Sequence, residues 1–302
     1  MTLTAIMLLS ISVSVHAIWN FLGKRENPTA AFMLIANTLG GLCLLPAIIL
    51  YPNTLAAISE RVWGYLALSG LCQSIYYVSL AGAYRSGELS IAYPLARSFP
   101  VLIVAAITAI LGWGTPLSHQ FVLGIILIVA GCLILPMRQF SNFNLQNYWN
   151  LTSLLALTAA FGTAGYSLID SEALGLLRQA TRSSVSGPAV TVVYSLLEGL
   201  VTSLWLVFFV LAEQSNRRAF FKIKRDGLYR AALVGAGIYL AYTLVLISMA
   251  FVTNVSYVVA FRQLSIPLGA LLGVVVLKEP LSLPKCIGVA VTFVGLVLVS
   301  IN

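Results

Sequence analysis

Two arginines inside long apolar runs are the residues of this chain best suited to bind a ligand. Arg97 and Arg262 each lie about eight residues into such a run, just ahead of a Ser-x-Pro motif. A guanidinium at membrane depth needs a partner or a water-filled cavity, and its planar donors fit a carboxylate or a phosphate. We therefore predict that the two arginines bind an anionic group together. The alternative is that each snorkels or pairs with an acid such as Asp170 or Glu198.

The first apolar run carries a polar face. His16, Trp19 and Asn20 occupy positions i, i+3 and i+4, so they share one side of a helix, as residues lining a cavity do. His16 titrates near neutral pH and is a candidate for coupling proton movement to another process. The alternative is a hydrogen bond between helices. Asp170 and Glu198 are the competing candidates for proton coupling.

Several tyrosines lie away from the ends of the apolar runs, where an interfacial belt would place them. Interior tyrosines hydrogen-bond a polar ligand while packing against its apolar part, or they join neighbouring helices. The candidate binding residues, together with the two arginines, are Trp19, Asn20, Tyr93, Tyr166, Tyr239, Tyr242 and Gln263.

Enzyme signatures are missing from the sequence. It contains no GxSxG, HExxH, GxGxxG or phosphate-binding loop, only two histidines, and four cysteines without metal-ligand spacing. The sequence therefore predicts no catalytic residue, no metal site and no cofactor.

The elements that position these residues are membrane helices. Of the 302 residues, 60% are hydrophobic and 9% charged, with mean hydropathy +0.97, whereas soluble domains carry about 25% charged residues. A soluble globule and a disordered chain are both excluded. The net charge of +8 comes from Lys and Arg in short gaps between apolar runs, which indicates membrane topology and not nucleic-acid binding. The expected partners are a lipid bilayer and a small solute, with the proton as a possible coupling ion.

Apolar runs near the spanning length of about 20 residues predict ten transmembrane helices. They are 2–22, 30–51, 62–84, 90–112, 119–136, 150–169, 187–212, 228–252, 254–277 and 284–301. Twelve of the 17 Lys and Arg follow odd-numbered spans and three follow even-numbered spans. By the positive-inside rule, both termini of this multi-pass protein are predicted outside the cell.

The chain also repeats itself. A Pro-Leu-Ser triplet at 116–118, followed by glycines at 124 and 131, recurs 164 residues later at 280–282, 288 and 295. Ser-x-Pro at 98–100 recurs at 265–267. Five spans per half force the second copy to enter the membrane from the opposite side. The sequence therefore predicts an all-α integral membrane protein, an inverted 5+5 repeat with halves 1–145 and 146–302.

Three motifs resemble one branch of the EamA family in the drug/metabolite transporter superfamily. They are HAIWN at 16–20 with Lys24 after it, AYRSGELS at 83–90 leading into YPLAR at 93–97, and YSLID at 166–170. The resemblance implies a ten-span carrier of small organic solutes, usually an exporter, with two five-helix repeats around a central cavity. Two positions depart from the family pattern: Thr115 replaces a common glutamate, and Gln263 replaces an acid that often follows the ninth-span arginine.

Residues and resemblance together predict a secondary-active transporter in the inner or plasma membrane, most simply an exporter of an amino acid or of a carboxylate or phosphate metabolite. The alternatives are a flippase for a lipid-linked or amphipathic substrate and an exporter of cationic drugs. A membrane scaffold is less favoured.

Overall fold

The chain is all-α over the part that the structure describes. The computed structural model describes residues 1–26, 28–86, 89–113, 117–134, 137, 139, 150–181, 185–223, 225–266, 268 and 282–300, without the side chains of 24, 89–95, 97, 98 and 300. Of these residues 89% are helical, and none forms a strand.

The helices follow the predicted apolar runs. In chain order they are α1 (Leu3–Arg25), α2 (Ala30–Leu42), α3 (Pro46–Leu50), α4 (Pro52–Ala56), α5 (Glu60–Ser86), α6 (Leu89–Leu111), α7 (His119–Ile134), α8 (Leu151–Thr181), α9 (Gly187–Ala212), α10 (Gln214–Lys222), α11 (Arg225–Ser248), α12 (Val255–Phe261) and α13 (Leu283–Ser300). Short 3-10 turns follow α11 at Met249–Phe251 and α12 at Arg262–Leu264.

Six helical segments are long and apolar enough to cross a membrane. They are Leu3–Gly23, Ala30–Leu50, Glu60–Ser86, Leu151–Thr181, Gly187–Ala212 and Arg225–Phe251. Three shorter apolar helices are Phe99–Leu111, His119–Ile134 and Leu283–Val299. The described part therefore fits a multi-pass membrane protein. Ten spans and an inverted repeat stay predictions.

Three predicted spans differ from the helices observed. The second is interrupted, because α2 ends at Leu42 and the chain turns before Pro46 starts α3. The sixth, predicted to end at 169, continues as α8 to Thr181. The ninth changes from α-helix to a 3-10 turn at Arg262, and residues 269–277 of it lie outside the described residues.

Local signals explain several helix ends. Thr29 caps α2 by accepting a hydrogen bond from the Phe32 amide, and Asn254 caps α12 by accepting one from the Ser256 amide. Gly112 ends α6 with φ +65°, a left-handed conformation that glycine adopts without strain.

Helices from the two halves of the sequence pack against one another. α1 packs on α11, α5 on α8, α2 on both α9 and α11, α5 also on α9, α6 on α8 and α12, and α7 on α13. The last pair approaches closely through glycines, because a Cβ atom built at Gly124 would lie 2.8 Å from the Gly295 carbonyl oxygen. One built at Gly131 would lie 2.7 Å from the Gly288 carbonyl oxygen. Such glycines let membrane helices meet backbone to backbone.

Candidate functional site

Asp170 lies at the meeting point of four helices. It projects from α8 with 0% exposure. Its Oδ1 accepts hydrogen bonds from the Ser69 hydroxyl of α5 at 2.5 Å and from the Tyr194 hydroxyl of α9 at 2.7 Å. Its Oδ2 accepts one from the Tyr242 hydroxyl of α11. An ionised carboxylate has about four acceptor sites, so three converging hydroxyls suit the charged form.

Arg262 lies in the 3-10 turn after α12 and is 5% exposed. Its Nη2 donates to the Tyr166 hydroxyl at 3.3 Å. Its Cζ lies 5.7 Å from the centre of the Tyr242 ring and 6.0 Å from that of Tyr166, within range of a cation–π interaction. Its Nη1 is buried and has no hydrogen-bond partner among the described residues. The arginine is therefore held by aromatic residues with one donor group unused.

Two tyrosines join this arginine to the aspartate. The Tyr166 and Tyr242 rings meet edge to face, with centroids 5.3 Å apart, and Tyr242 contacts both charged groups. Among the described ion pairs, none links Arg262 to Asp170 within 4.0 Å. Aromatic rings therefore lie between the Arg262 guanidinium and the Asp170 carboxylate, in place of a direct salt bridge. An anion that approached Nη1 would not first have to displace Asp170.

Glu198 of α9 lines a separate small cavity and is 2% exposed. The cavity measures about 10 Å³, close to the least volume that holds one water molecule. It lies between α2, α5, α9 and α11. Its walls are Asn37, Gln73, Tyr77, Ser195, Glu198, Ile238, Tyr239 and Tyr242. Since Tyr242 also contacts Asp170, the cavity adjoins the Asp170–Arg262 cluster. No organic solute fits it in this conformation.

The polar residues of α1 lie beside the same region, because α1 packs on α11 and on the turn that carries Arg262. Trp19 Nε1 donates to His16 Nδ1 at 3.1 Å, and Asn20 Nδ2 donates to the His16 carbonyl oxygen at 2.9 Å. Asn20 Oδ1 is buried and has no hydrogen-bond partner in the described ranges. The three residues interact along one helix face.

Gln263 and Tyr239 each keep an unused polar atom. Gln263 Nε2 donates to the Val259 carbonyl oxygen at 2.9 Å, while its Oε1 is buried and finds no partner in the described part of the chain. The same holds for the Tyr239 hydroxyl, which lies against the glycines at 41 and 199. Tyr239 therefore packs α2, α9 and α11 together and also lines the cavity.

The other half of the predicted anion clamp is not described. The backbone of Arg97 and Tyr93 belongs to α6, but both side chains lie outside the described residues. The pairing of Arg97 with Arg262 stays a prediction. The structure does bring together Asp170, Tyr166, Tyr242 and Arg262, which the sequence named separately.

Sequence reasoning missed several polar residues of this region. Ser69 and Gln73 lie one turn apart on α5, and that spacing in an apolar run was a usable signal. Asn37 donates to the Gly199 carbonyl oxygen at 2.8 Å and to the Ser203 hydroxyl at 2.9 Å. It therefore fixes α2 against α9. Tyr194, which donates to Asp170, was one interior tyrosine among many.

A second, larger cavity lies between α8 and the ends of α6 and α12. It measures about 170 Å³. Its lining includes Thr108, Trp113, Ser171, Glu172 and Asn254. Glu172 follows Asp170 by two residues on α8, so it projects on a different side of the helix.

Among the described residues, no group of three or more His, Cys, Asp or Glu side chains could hold a metal ion.

Comparison with known proteins identifies the fold alone. No family model and no curated protein matches the chain. Among solved structures, 29 chains match it. One of these, a crystal structure, superposes with a TM-score of 0.69 over 98% of this chain and 96% of that chain, at 16% identity. The likeness covers nearly the whole length of both chains, so the helix arrangement is one that an experimentally solved protein shares.

Proposed function

We propose that this chain is a secondary-active transporter that moves a small polar organic solute by alternating access. The solute class is an amino acid or a metabolite with a carboxylate or phosphate, and the direction is export across the inner or plasma membrane. The proposal includes membership of the EamA family, whose motifs the sequence resembles. The observation that carries it is the buried Arg262 guanidinium, whose Nη1 has no hydrogen-bond partner in the part of the chain that the structure describes.

The surroundings of Arg262 support an anionic ligand. An arginine inside a membrane is costly unless it pairs or faces a cavity. Aromatic faces hold the cation of Arg262 in place, but they leave its positive charge without an acidic partner within 4.0 Å among the described ion pairs. A guanidinium with free N–H groups binds a carboxylate or phosphate through charge-assisted hydrogen bonds. The ligand's anionic group would supply the missing acceptor.

The helix contacts support the proposed inverted repeat. If α1, α2, α5, α6 and α7 form the first half, their counterparts are α8, α9, α11, α12 and α13. The contact of α1 with α11 then matches that of α8 with α5, and the contact of α2 with α11 matches that of α9 with α5. Each contact of α2 with α9, α6 with α12 and α7 with α13 is its own counterpart. This is the pattern that a two-fold relation between five-helix halves produces.

The size of the cavity beside Glu198 supports movement between the halves. A space of about 10 Å³ is far below the several hundred Å³ typical of small-molecule sites. Arg262 is 5% exposed and lines neither of the two described cavities, so the proposal has the helices separate to let a solute reach it. Rocking of one half against the other about a central site is how inverted-repeat transporters expose that site to each side in turn.

Ligand-induced thermal stabilisation of the detergent-purified protein tests the proposal. The panel comprises amino acids, organic acids, sugar phosphates, cationic drugs and lipids. A ligand that binds the folded state at 100 times its Kd stabilises it by about 2.7 kcal/mol. We expect a hit among anionic or zwitterionic metabolites, followed by uptake of the labelled hit into proteoliposomes.

Two arginine variants give the test its specificity. Arg262→Gln removes the proposed ligand contact, and losing one partner of a buried charge pair costs about 2–5 kcal/mol. The Kd should therefore rise at least about thirtyfold, since 1.4 kcal/mol is tenfold. The matched control is Arg178→Gln. Arg178 donates to the Thr191 hydroxyl at 3.0 Å and to the Leu246 carbonyl oxygen at 2.8 Å. Arg178→Gln should lower the free energy of unfolding and leave the Kd of the ligand unchanged.

Other outcomes of the panel would favour other functions. Glu198 lines the cavity without a cation within 4.0 Å among the described ion pairs, so an exporter of cationic drugs is the second candidate. Stabilisation by cationic amines alone would replace the anion proposal with it. Stabilisation by lipids alone would favour a flippase. An unchanged Kd in a well-folded Arg262→Gln protein would overturn the assignment of Arg262 as the ligand-binding residue.

A further inference from the structure

Two carboxyl groups are buried here, Asp170 in the Asp170–Arg262 cluster and Glu198 in the adjoining cavity, and their hydrogen-bond environments are opposite. Asp170 receives three hydroxyl donors from three other helices. Within the described residues, Glu198 accepts one side-chain hydrogen bond, from Thr202 Oγ1 at 3.3 Å, one turn later on its own helix. An ionised carboxylate only accepts hydrogen bonds, whereas a protonated one also donates. The surroundings of Asp170 therefore suit the ionised form.

The neighbours of Glu198 suit the protonated form. The Thr202 hydroxyl lies closer to Gln73 Oε1, at 3.1 Å, than to Glu198 Oε1. Its one proton serves one acceptor, and the amide oxygen of Gln73 is the nearer. A carboxyl proton on Glu198 would then donate to Thr202 Oγ1, which donates in turn to Gln73. When Glu198 is ionised, its carboxylate and the Gln73 amide oxygen compete for the single Thr202 proton; when Glu198 carries a proton, Thr202 Oγ1 and Gln73 Oε1 each accept one hydrogen bond.

The nearby charges also favour an ionised Asp170 and a protonated Glu198. Arg262 interacts electrostatically with Asp170, which favours a negative charge there. The charged group that acts on Glu198 is Asp170 itself, so a second negative charge beside it would be repelled.

The remaining titratable groups that face Glu198 are neutral phenols. They are Tyr77 of α5, Tyr194 of α9, and Tyr239 and Tyr242 of α11. The basic residues of α10, which also packs on α9, are exposed: Arg217, Arg218 and Lys222. Arg178 of α8, which also packs on α9, donates instead to the Thr191 hydroxyl and the Leu246 carbonyl oxygen. Among the described ion pairs, none links a cation to Glu198 within 4.0 Å.

We propose that Glu198 is the residue that binds and releases the coupling proton, while Asp170 stays ionised as the fixed counter-charge of Arg262. This rests on the proposed transport function. Binding forms one O–H bond on the Glu198 carboxylate, and release breaks it. The water-sized cavity is where the proton reaches the group. In the compact conformation Glu198 is protonated, and opening of the helices exposes it to solvent, where it ionises.

Infrared difference spectroscopy of the purified protein in lipid tests the protonation state without any substrate. A protonated carboxyl group absorbs as a free C=O stretch, shifts in heavy water and disappears on ionisation. We expect such a band in wild type, its loss in Glu198→Gln, and its persistence in Asp170→Asn. Glu198→Asp keeps a carboxyl group and should restore a shifted band. Size-exclusion profiles check that each protein is folded.

Three spectroscopic results would overturn the proposal: no protonated-carboxyl band in wild type, a band that persists in Glu198→Gln, or a band that is lost in Asp170→Asn and does not return as the pH is lowered. The lower pH is needed because removing the Asp170 charge also removes its repulsion of a charge on Glu198. A transport assay separates this failure from failure of the proposed function. In proteoliposomes, Glu198→Gln should lose pH-gradient-driven accumulation but keep exchange of internal for external solute. If wild type transports no solute, the transport proposal fails, and the infrared result still decides where the proton resides.

Discussion

A matched pair of tyrosine substitutions tests the hydrogen-bond assignment around Asp170. Tyr194 and Tyr239 are both buried, at 0% and 6% exposure. The Tyr194 hydroxyl donates to Asp170 at 2.7 Å, whereas the Tyr239 hydroxyl has no hydrogen-bond partner among the residues that the structure describes. Replacing each with phenylalanine removes the same single oxygen atom. Any difference in the free energy of unfolding therefore reports what that oxygen contacts.

The expected magnitudes differ clearly. A hydrogen bond to a charged group contributes about 1.5–3 kcal/mol in soluble proteins, and buried ones in membrane proteins average about 0.6 with a maximum near 1.7. Asp170 keeps its bonds from Ser69 and Tyr242 in the variant. We expect Tyr194→Phe to destabilise by about 1–1.7 kcal/mol, the upper part of the membrane range because the acceptor is charged. Tyr239→Phe should leave the stability unchanged or raise it, since it removes a buried hydroxyl whose lost hydration no described hydrogen bond replaces.

Unfolding by sodium dodecyl sulfate in a mild detergent, followed by circular dichroism, measures both values. A double-mutant cycle supplies the control: in an Asp170→Asn background, the cost of Tyr194→Phe should shrink because its charged acceptor is gone. Equal destabilisation by the two substitutions, or a larger effect of Tyr239→Phe, would refute the assignment of donors to Asp170.

Two further substitutions test packing and surface charge by melting temperature in detergent. Gly131→Ala places a Cβ atom 2.7 Å from the Gly288 carbonyl oxygen and should destabilise by about 1–3 kcal/mol; Gly64→Ala, with nothing within 4 Å, should instead be neutral or stabilise by up to about 1 kcal/mol. An equal drop in both would show that the glycine contacts are wrongly placed. Arg230→Gln breaks the 2.8 Å ion pair with Glu26 and should change stability by less than about 1 kcal/mol, because the arginine is exposed. A larger loss would mean that the pair is buried in the membrane-bound protein.

The apolar runs of the sequence predicted where helices occur, because hydrophobic length is the dominant signal in a membrane chain. The seventh predicted span, 187–212, coincides with α9. The sixth ended too early in the prediction, since Asp170, Glu172 and Arg178 lower the hydropathy after residue 169. The helix continues because Asp170 and Arg178 find hydrogen-bond partners on neighbouring helices. Polar residues that form hydrogen bonds with neighbouring helices therefore lower the hydropathy of a helical segment, and hydropathy alone then predicts a loop there.

Individual residues of the Asp170–Arg262 cluster could be identified from the sequence, but their proximity to one another could not be predicted. Asp170, Tyr242 and Arg262 were each recognisable as unusual polar residues in apolar surroundings. Their juxtaposition depends on contacts between residues 72 and 96 positions apart, which periodicity along one helix does not encode. The difference between Asp170 and Glu198 was equally hidden. It arises from hydroxyl groups on three other helices.

The cost of burying charge argues that the cluster has a role beyond stability. Placing Asp170, Glu198 and Arg262 at membrane depth costs about 2.5–3.5 kcal/mol each on insertion scales. The sum rivals the whole stability of a typical protein, about 5–15 kcal/mol. Three hydroxyl donors offset much of the cost for Asp170. Among the described residues, Arg262 Nη1 has no hydrogen-bond partner, so most of the cost of its charge remains. Glu198 has one long contact and avoids the cost of a charge only while it carries a proton. Apolar residues of similar volume would remove that cost, as replacement of buried ion pairs in other proteins has done. The presence of Arg262 and Glu198 is explained if an anionic ligand accepts a hydrogen bond from Arg262 Nη1 and a proton neutralises Glu198 at different stages of a transport cycle.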